Sequence, residues 1–240
     1  MYQSSRQGLF PWFPILTGMV GFALRCWLFS SMDSAGLLPN NHIAGSLTFL
    51  LLALYLAVCF LGVKNATPHD TYRQMFPRSG IAAAGTVMGA VGMAISAFTL
   101  KSAGVFRFLL PVLGVLSAGA LLFAAYCRFR ELQPNFLTHC AVAIYLIFRS
   151  LANCRTWGAE PQLQLYFFHL LASLFLLLAC YYRAELDLHS GDCRRYVFFA
   201  QAALFCCCLC LMGEDWLFYL SAGIWIATDF CVLAPKKQNR

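Results

Sequence analysis

Apolar stretches near twenty residues long alternate along the chain with short polar joints. A bilayer core of ~30 Å takes about 20 residues of α-helix to cross. The pattern therefore predicts membrane spans at residues 11–31, 43–63, 80–100, 106–127, 136–153, 162–182, 195–212 and 216–234. In hydrocarbon a backbone must satisfy its own N–H and C=O groups, and unbroken apolar runs such as 43–63 lack the alternation of barrel strands. The predicted fold is all-α: a polytopic integral membrane bundle of eight transmembrane helices. The joints leave no length for a soluble domain, so residues 1–240 read as a single transmembrane domain.

The joints themselves recur. A long basic joint follows the second span and another follows the sixth, and each precedes two spans linked by a short turn. Arg25 and Arg149 lie near the ends of spans one and five, and Pro39 and Pro161 stand just before spans two and six. A 4+4 parallel internal repeat is one reading of this, and apolar composition alone is the other. Prolines before a span suit a first helical turn, and Pro111 is expected in the first turn of span four.

Composition agrees with a membrane class. Hydrophobic residues make up 60% and charged residues 11%, against about 25% charged in a soluble domain. The net charge of +7 would raise the question of nucleic acid, but its distribution excludes that partner. Arg6, Lys64, Arg73, Arg78, Arg128, Arg130, Arg183, Arg194, Arg195, Lys236, Lys237 and Arg240 fall on one set of alternate joints. Lys101, Arg107 and Arg155 fall on the other. By the positive-inside rule the richer set is cytoplasmic, which puts both termini inside, N-in and C-in. The same basic joints are expected to meet anionic lipid. The first stretch, with Arg25 inside it and no small-residue cleavage site, reads as a retained span. The sequon Asn65-Ala66-Thr67 then faces the cytoplasm. A cell membrane, of the prokaryotic cytoplasmic kind given the compact chain, is the expected location.

Span three carries Gly85, Gly89 and Gly92. Small residues at this spacing let helix backbones approach closely, so span three is expected to pack centrally. A homodimer face is the alternative use of such a stripe. Leucine-rich span two is expected to face lipid. Nine of the twelve cysteines fall within spans, where cysteine acts as a small apolar residue. The CxxC spacing in 206–210 lacks histidine partners, so no metal and no cofactor are expected.

Charged groups in a membrane are costly, about 2.5–3.5 kcal/mol at a helix centre, and count as functional candidates. Arg25, Arg149 and His169 share an outer depth, where two guanidiniums offer paired donors to a carboxylate or phosphate. Outer acids, Glu160, Glu214 or Asp215, are the internal alternative. His139 and Asp229 lie nearer the cytoplasmic side and could form an ion or proton pair. No zinc, P-loop, nucleophile-elbow or Rossmann motif occurs.

The leading functional expectation is transport or binding of a small, anionic solute. A non-catalytic assembly or partner subunit of a membrane complex is the alternative, and a membrane-embedded enzyme on a lipid-linked substrate the third. The orientation is directly testable. Reporters fused after Ser79, Glu131, Asp192 and Arg240 will read cytoplasmic, and those after Leu37, Ser102, Gly158 and Glu214 will read the opposite side. Two adjacent joints reporting one side would refute the eight-span count.

Overall fold

A computed structural model describes residues 12–32, 42–64, 76–100, 104–157, 166–188 and 191–231. Pro39, Pro161, Glu160, the sequon, and the basic residues Arg6, Arg73, Lys101, Lys236, Lys237 and Arg240 lie outside the described residues.

The described elements are helices: α1 (Trp12–Ser30), α2 (Ile43–Lys64), α3 (Gly80–Thr99), α4 (Phe106–Arg130), α5 (Phe136–Trp157), α6 (Phe167–Asp187), α7 (Cys193–Leu209) and α8 (Trp216–Cys231). A 3₁₀ turn, Cys210–Met212, extends α7. Seven of them are long and apolar enough to cross a membrane, and α8 has 16 residues. The eight helices coincide with the eight apolar stretches.

Local chemistry sets several ends. The Ser79 hydroxyl accepts from the Ala82 N–H at 3.2 Å and starts α3. Asp192 does the same for α7, accepting from the Arg194 N–H at 2.9 Å. These side chains satisfy donors that the first helical turn leaves open. Glu131 closes α4 in the left-handed region, at φ 60°.

Some boundaries differ from the sequence expectation, and the differences matter. α4 runs on to Arg130 and α6 to Asp187, so Arg128 and Arg183 lie inside helices and not in joints. Pro111 lies in the second turn of α4, because the helix already begins at Phe106. Its missing N–H leaves the Arg107 carbonyl without a helical donor.

Helices α3, α4, α5, α6, α7 and α8 pack each against the next, and α8 closes on α3. The result is a ring of six. The hairpin α1–α2 lies against the outside of α7, which touches α1, α2, α6 and α8 and is the most enclosed helix by share of buried residues.

The closing contact depends on glycine. Along α3 a Cβ at Gly85 would run into Thr228, one at Gly92 into Ser221, and one at Gly89 would stand 2.8 Å from Trp225 Cβ. These positions ascend on α3 as their partners descend on α8, so the two helices are antiparallel and touch over about two turns. Gly114 on α4 similarly faces Ala97 on α3. α2 exposes most of its leucines, among them Leu54 at 57%. Leu51, however, is half-buried and meets α1 near Gly21.

Gly89→Leu will therefore lower stability in mild detergent by about 1–3 kcal/mol or more, since overpacking forces the α3–α8 backbones apart. Leu54→Ala will change it by less than about 0.5 kcal/mol, because lipid contacts that side chain as well as protein would. Thermal melts of the two purified variants compare them directly.

Candidate functional site

Two buried polar clusters sit at opposite ends of the bundle. The one at the end carrying most basic residues draws on four ring helices. Near the end of α4, Arg128 Nη2 stands 4.0 Å from Asp229 Oδ1, two residues from the end of α8. Arg183, a turn before the end of α6, reaches the other Asp229 oxygen at 3.8 Å and Asp187 Oδ1 at 4.0 Å. Asp187 Oδ2 lies 2.6 Å from His139 Nδ1 in the first turn of α5. The result is a row of alternating charge, His139–Asp187–Arg183–Asp229–Arg128, in which every member is buried.

Side chains around this row hold it in place. Phe76, from the segment before α3, lies 3.3 Å from the Arg183 guanidinium carbon, ring centroid to Cζ, and 4.9 Å from that of Arg128. An aromatic face stabilises cations shut away from water. Tyr196 on α7 packs edge-on to Phe76 at 5.8 Å. Gln133 Nε2 donates to the Asp187 carbonyl at 2.6 Å and ties the α4–α5 joint to the end of α6. The His139 ring stacks on Trp225 of α8, with centroids 6.5 Å apart.

The sequence pairing of His139 with Asp229 is thereby redrawn. His139 meets Asp187, and Asp229 meets the two arginines. The apolar stretches end at 127 and 182, which leaves Arg128, Arg183 and Asp187 in joints by sequence, and Phe76 lies in the joint before span three.

At the opposite end, Arg149 of α5 is 0% exposed. Its Nη2 lies 3.1 Å from Asp215 Oδ2, and its Nη1 donates to the Tyr145 hydroxyl at 2.9 Å. The Phe218 ring covers it at 4.0 Å. Asp215 stands just before α8 and accepts from the Phe218 and Tyr219 N–H groups through its carbonyl. A carboxylate is favoured at that helix N-terminus. Asn153 Nδ2 donates to the same carboxylate at 3.4 Å.

Arg25 is buried too, at 2% exposure. Its Nη1 donates to the Leu209 carbonyl at 3.1 Å, where α7 tightens into the 3₁₀ turn, and its guanidinium lies over Phe29 and Phe168. Such a carbonyl lacks its usual helical donor and sits at the negative end of the helix dipole, so a cation suits it. His169 lies edge-on to Trp157 and Tyr219, and its carbonyl accepts from the Tyr219 hydroxyl at 3.2 Å. A Cβ at Gly213 would collide with His169 Nε2, so this turn must be glycine for the imidazole to fit.

Arg25 and Arg149 thus take different partners, a carbonyl on α7 and a carboxylate at the head of α8. The Tyr219 phenol is within Coulombic range of both. Asp215, one of the acids the sequence offered, meets Arg149.

Among the described residues no group of three or more His, Cys, Asp or Glu side chains is placed to hold a metal ion. Compared with protein-family models, curated proteins and solved structures, the chain matches none.

The shared carboxylate of Asp229 carries a measurable load. Asp229→Asn will destabilise the protein by about 3–5 kcal/mol, because two buried arginines then face one carboxylate. Arg128→Gln added to it will recover part of that loss. The non-additivity of the double-mutant cycle, read from thermal melts, measures their coupling.

Proposed function

We propose that this multi-pass membrane protein is a carrier for a small anionic solute, with the two charge clusters closing the ends of its six-helix ring in turn. The observation that carries the reading is that α5, α6 and α8 each contribute side chains to both clusters. α5 supplies Arg149 and His139, α6 supplies His169 with Arg183 and Asp187, and α8 follows Asp215 and carries Asp229. A tilt of α8 that opens one end presses on the other, which is the coupling that alternating access requires. Buried charge is costly, and a bundle needing only stability is as well served by apolar side chains of similar volume.

In this reading the solute's carboxylate or phosphate competes with Asp215 for Arg149. The planar fork of arginine suits such an exchange, since one donor pair serves either anion. The clusters are separated by a packed stretch containing Leu146, Leu176 and Ala222, which keeps the two ends from being open together. The carrier lies in a cytoplasmic membrane with its basic end inward. There Arg78, Arg130 and Arg195 lie over Phe129, Tyr126 and Tyr182, which suits a surface of anionic headgroups. The 4+4 repeat is not part of this proposal. A two-fold would relate the outlying hairpin α1–α2 to α5–α6, which belongs to the ring.

A second reading, a non-catalytic assembly subunit, is favoured by one observation. Arg25 and Arg149 bind groups at the ends of α7 and α8, as clamps for those helix ends would.

The two readings separate on purified protein. Inorganic phosphate, acetate, succinate and glutamate are tested for raising the melting temperature and for uptake into proteoliposomes. The carrier reading expects at least one anion to do both with the wild type and to lose both effects with Arg149→Lys. No response to any anion, together with a co-purifying protein chain, would establish the subunit reading instead.

A further inference from the structure

We infer that His139 and Asp187 form a proton-binding site, loaded from the cytoplasmic end, whose occupancy re-sorts the ion pairs of that cluster. What the re-sorting achieves rests on the carrier reading, whereas the binding of the proton does not.

The argument begins from charge balance. Among the described residues, Arg128 and Arg183 on one side balance Asp187 and Asp229 on the other, and the imidazole is the member of the row whose side-chain type changes charge near neutral pH. The guanidiniums stay charged in proteins. Other titratable groups surround the row. Cys127 of α4 and Cys140 of α5 lie within Coulombic range of Asp187. Tyr196 of α7 lies within range of Asp229, Arg183 and Arg128. Thiols and phenols ordinarily titrate above the histidine window.

Geometry gives the step its direction. With the Nδ1–H donating to Asp187 Oδ2 at 2.6 Å, Nε2 is the nitrogen that takes a proton from water. The imidazole then becomes a cation on a carboxylate, and a charge-assisted bond is about twice as strong as a neutral one. Asp187 is drawn toward α5 and away from Arg183, whose contact to it is only 4.0 Å. Arg183 passes to Asp229, already 3.8 Å away on α8.

A pair within one helix, four residues apart on α6, is thereby exchanged for a pair between α6 and α8. Proton uptake locks the cytoplasmic end, and proton loss loosens it. No bond other than the N–H is made or broken. Under the carrier reading, the proton is a second passenger of the cycle.

The first measurement needs no solute. Imidazole ¹⁵N signals of the full chain in detergent are followed from about pH 5 to 8. The expected result is a titrating signal that disappears in His139→Asn, a variant that keeps a donor to Asp187 but cannot take up a proton. The melting temperature of the wild type will also rise relative to that of His139→Asn as the pH falls. A His139 signal that holds one state throughout, with parallel melting curves for the two proteins, would overturn the site.

The second measurement uses proteoliposomes holding a pH-sensitive dye under an imposed proton gradient. Wild type will carry protons and His139→Asn will do so on the order of a hundredfold more slowly. A titrating His139 in a protein that takes up none of the anions named above supports the proton site and counts against the carrier. Anion uptake with a His139 that never titrates overturns the proton site alone.

Discussion

The cost of a charge shut away from water governs this molecule. An arginine inside the bundle can persist only where another element brings a carboxylate, a carbonyl or an aromatic face to it, so each buried guanidinium is also a tie between helices. Arg149 fastens α5 to the head of α8, and Arg25 fastens α1 to the tail of α7. Arg128 and Arg183 fasten α4 and α6 to the foot of α8. Helix α8 is held by charge at both ends, and α5 meets both clusters through His139 and Arg149.

What lies between those ends is held differently. Against α3, α8 is seated by the absence of side chains at Gly85, Gly89 and Gly92, where Thr228, Trp225 and Ser221 fill the space. Lipid tails are as apolar as leucine, so close packing and not burial from water holds this contact. The two kinds of restraint differ in character. Steric fit along α3 is short-ranged and tolerates sliding poorly, whereas ion pairs at 3.8–4.0 Å can exchange partners with little movement. The middle of α8 is thus a natural pivot and its ends are natural contacts to make and break.

Much of the fold was legible in the sequence because the bilayer imposes a length and a composition on every span. The glycine spacing of span three signalled close approach of helix backbones but left the partner open, another span or a second copy. The charge clusters were only partly so. Arg128, Arg183 and Asp187 look like joint residues to any rule that equates charge with solvent, and the helices run through them because their partners sit across the interface. Proximity in depth pointed from His139 to Asp229, whereas the helix end of α6 brings Asp187 to it. Phe76 stands outside any periodic element, so its position over Arg183 follows from tertiary structure alone. Leu51 shows the converse, a leucine in a lipid-facing helix whose neighbour is a glycine on α1.

The charges that hold α8 at both ends have an electrical consequence. Asp215 and Asp229 flank about 21 Å of helix rise, a large part of a ~30 Å hydrocarbon core. An elementary charge carried from Asp215 to Asp229 would feel most of the drop, about 2.3 kcal/mol per 100 mV, over roughly 21 Å of helix.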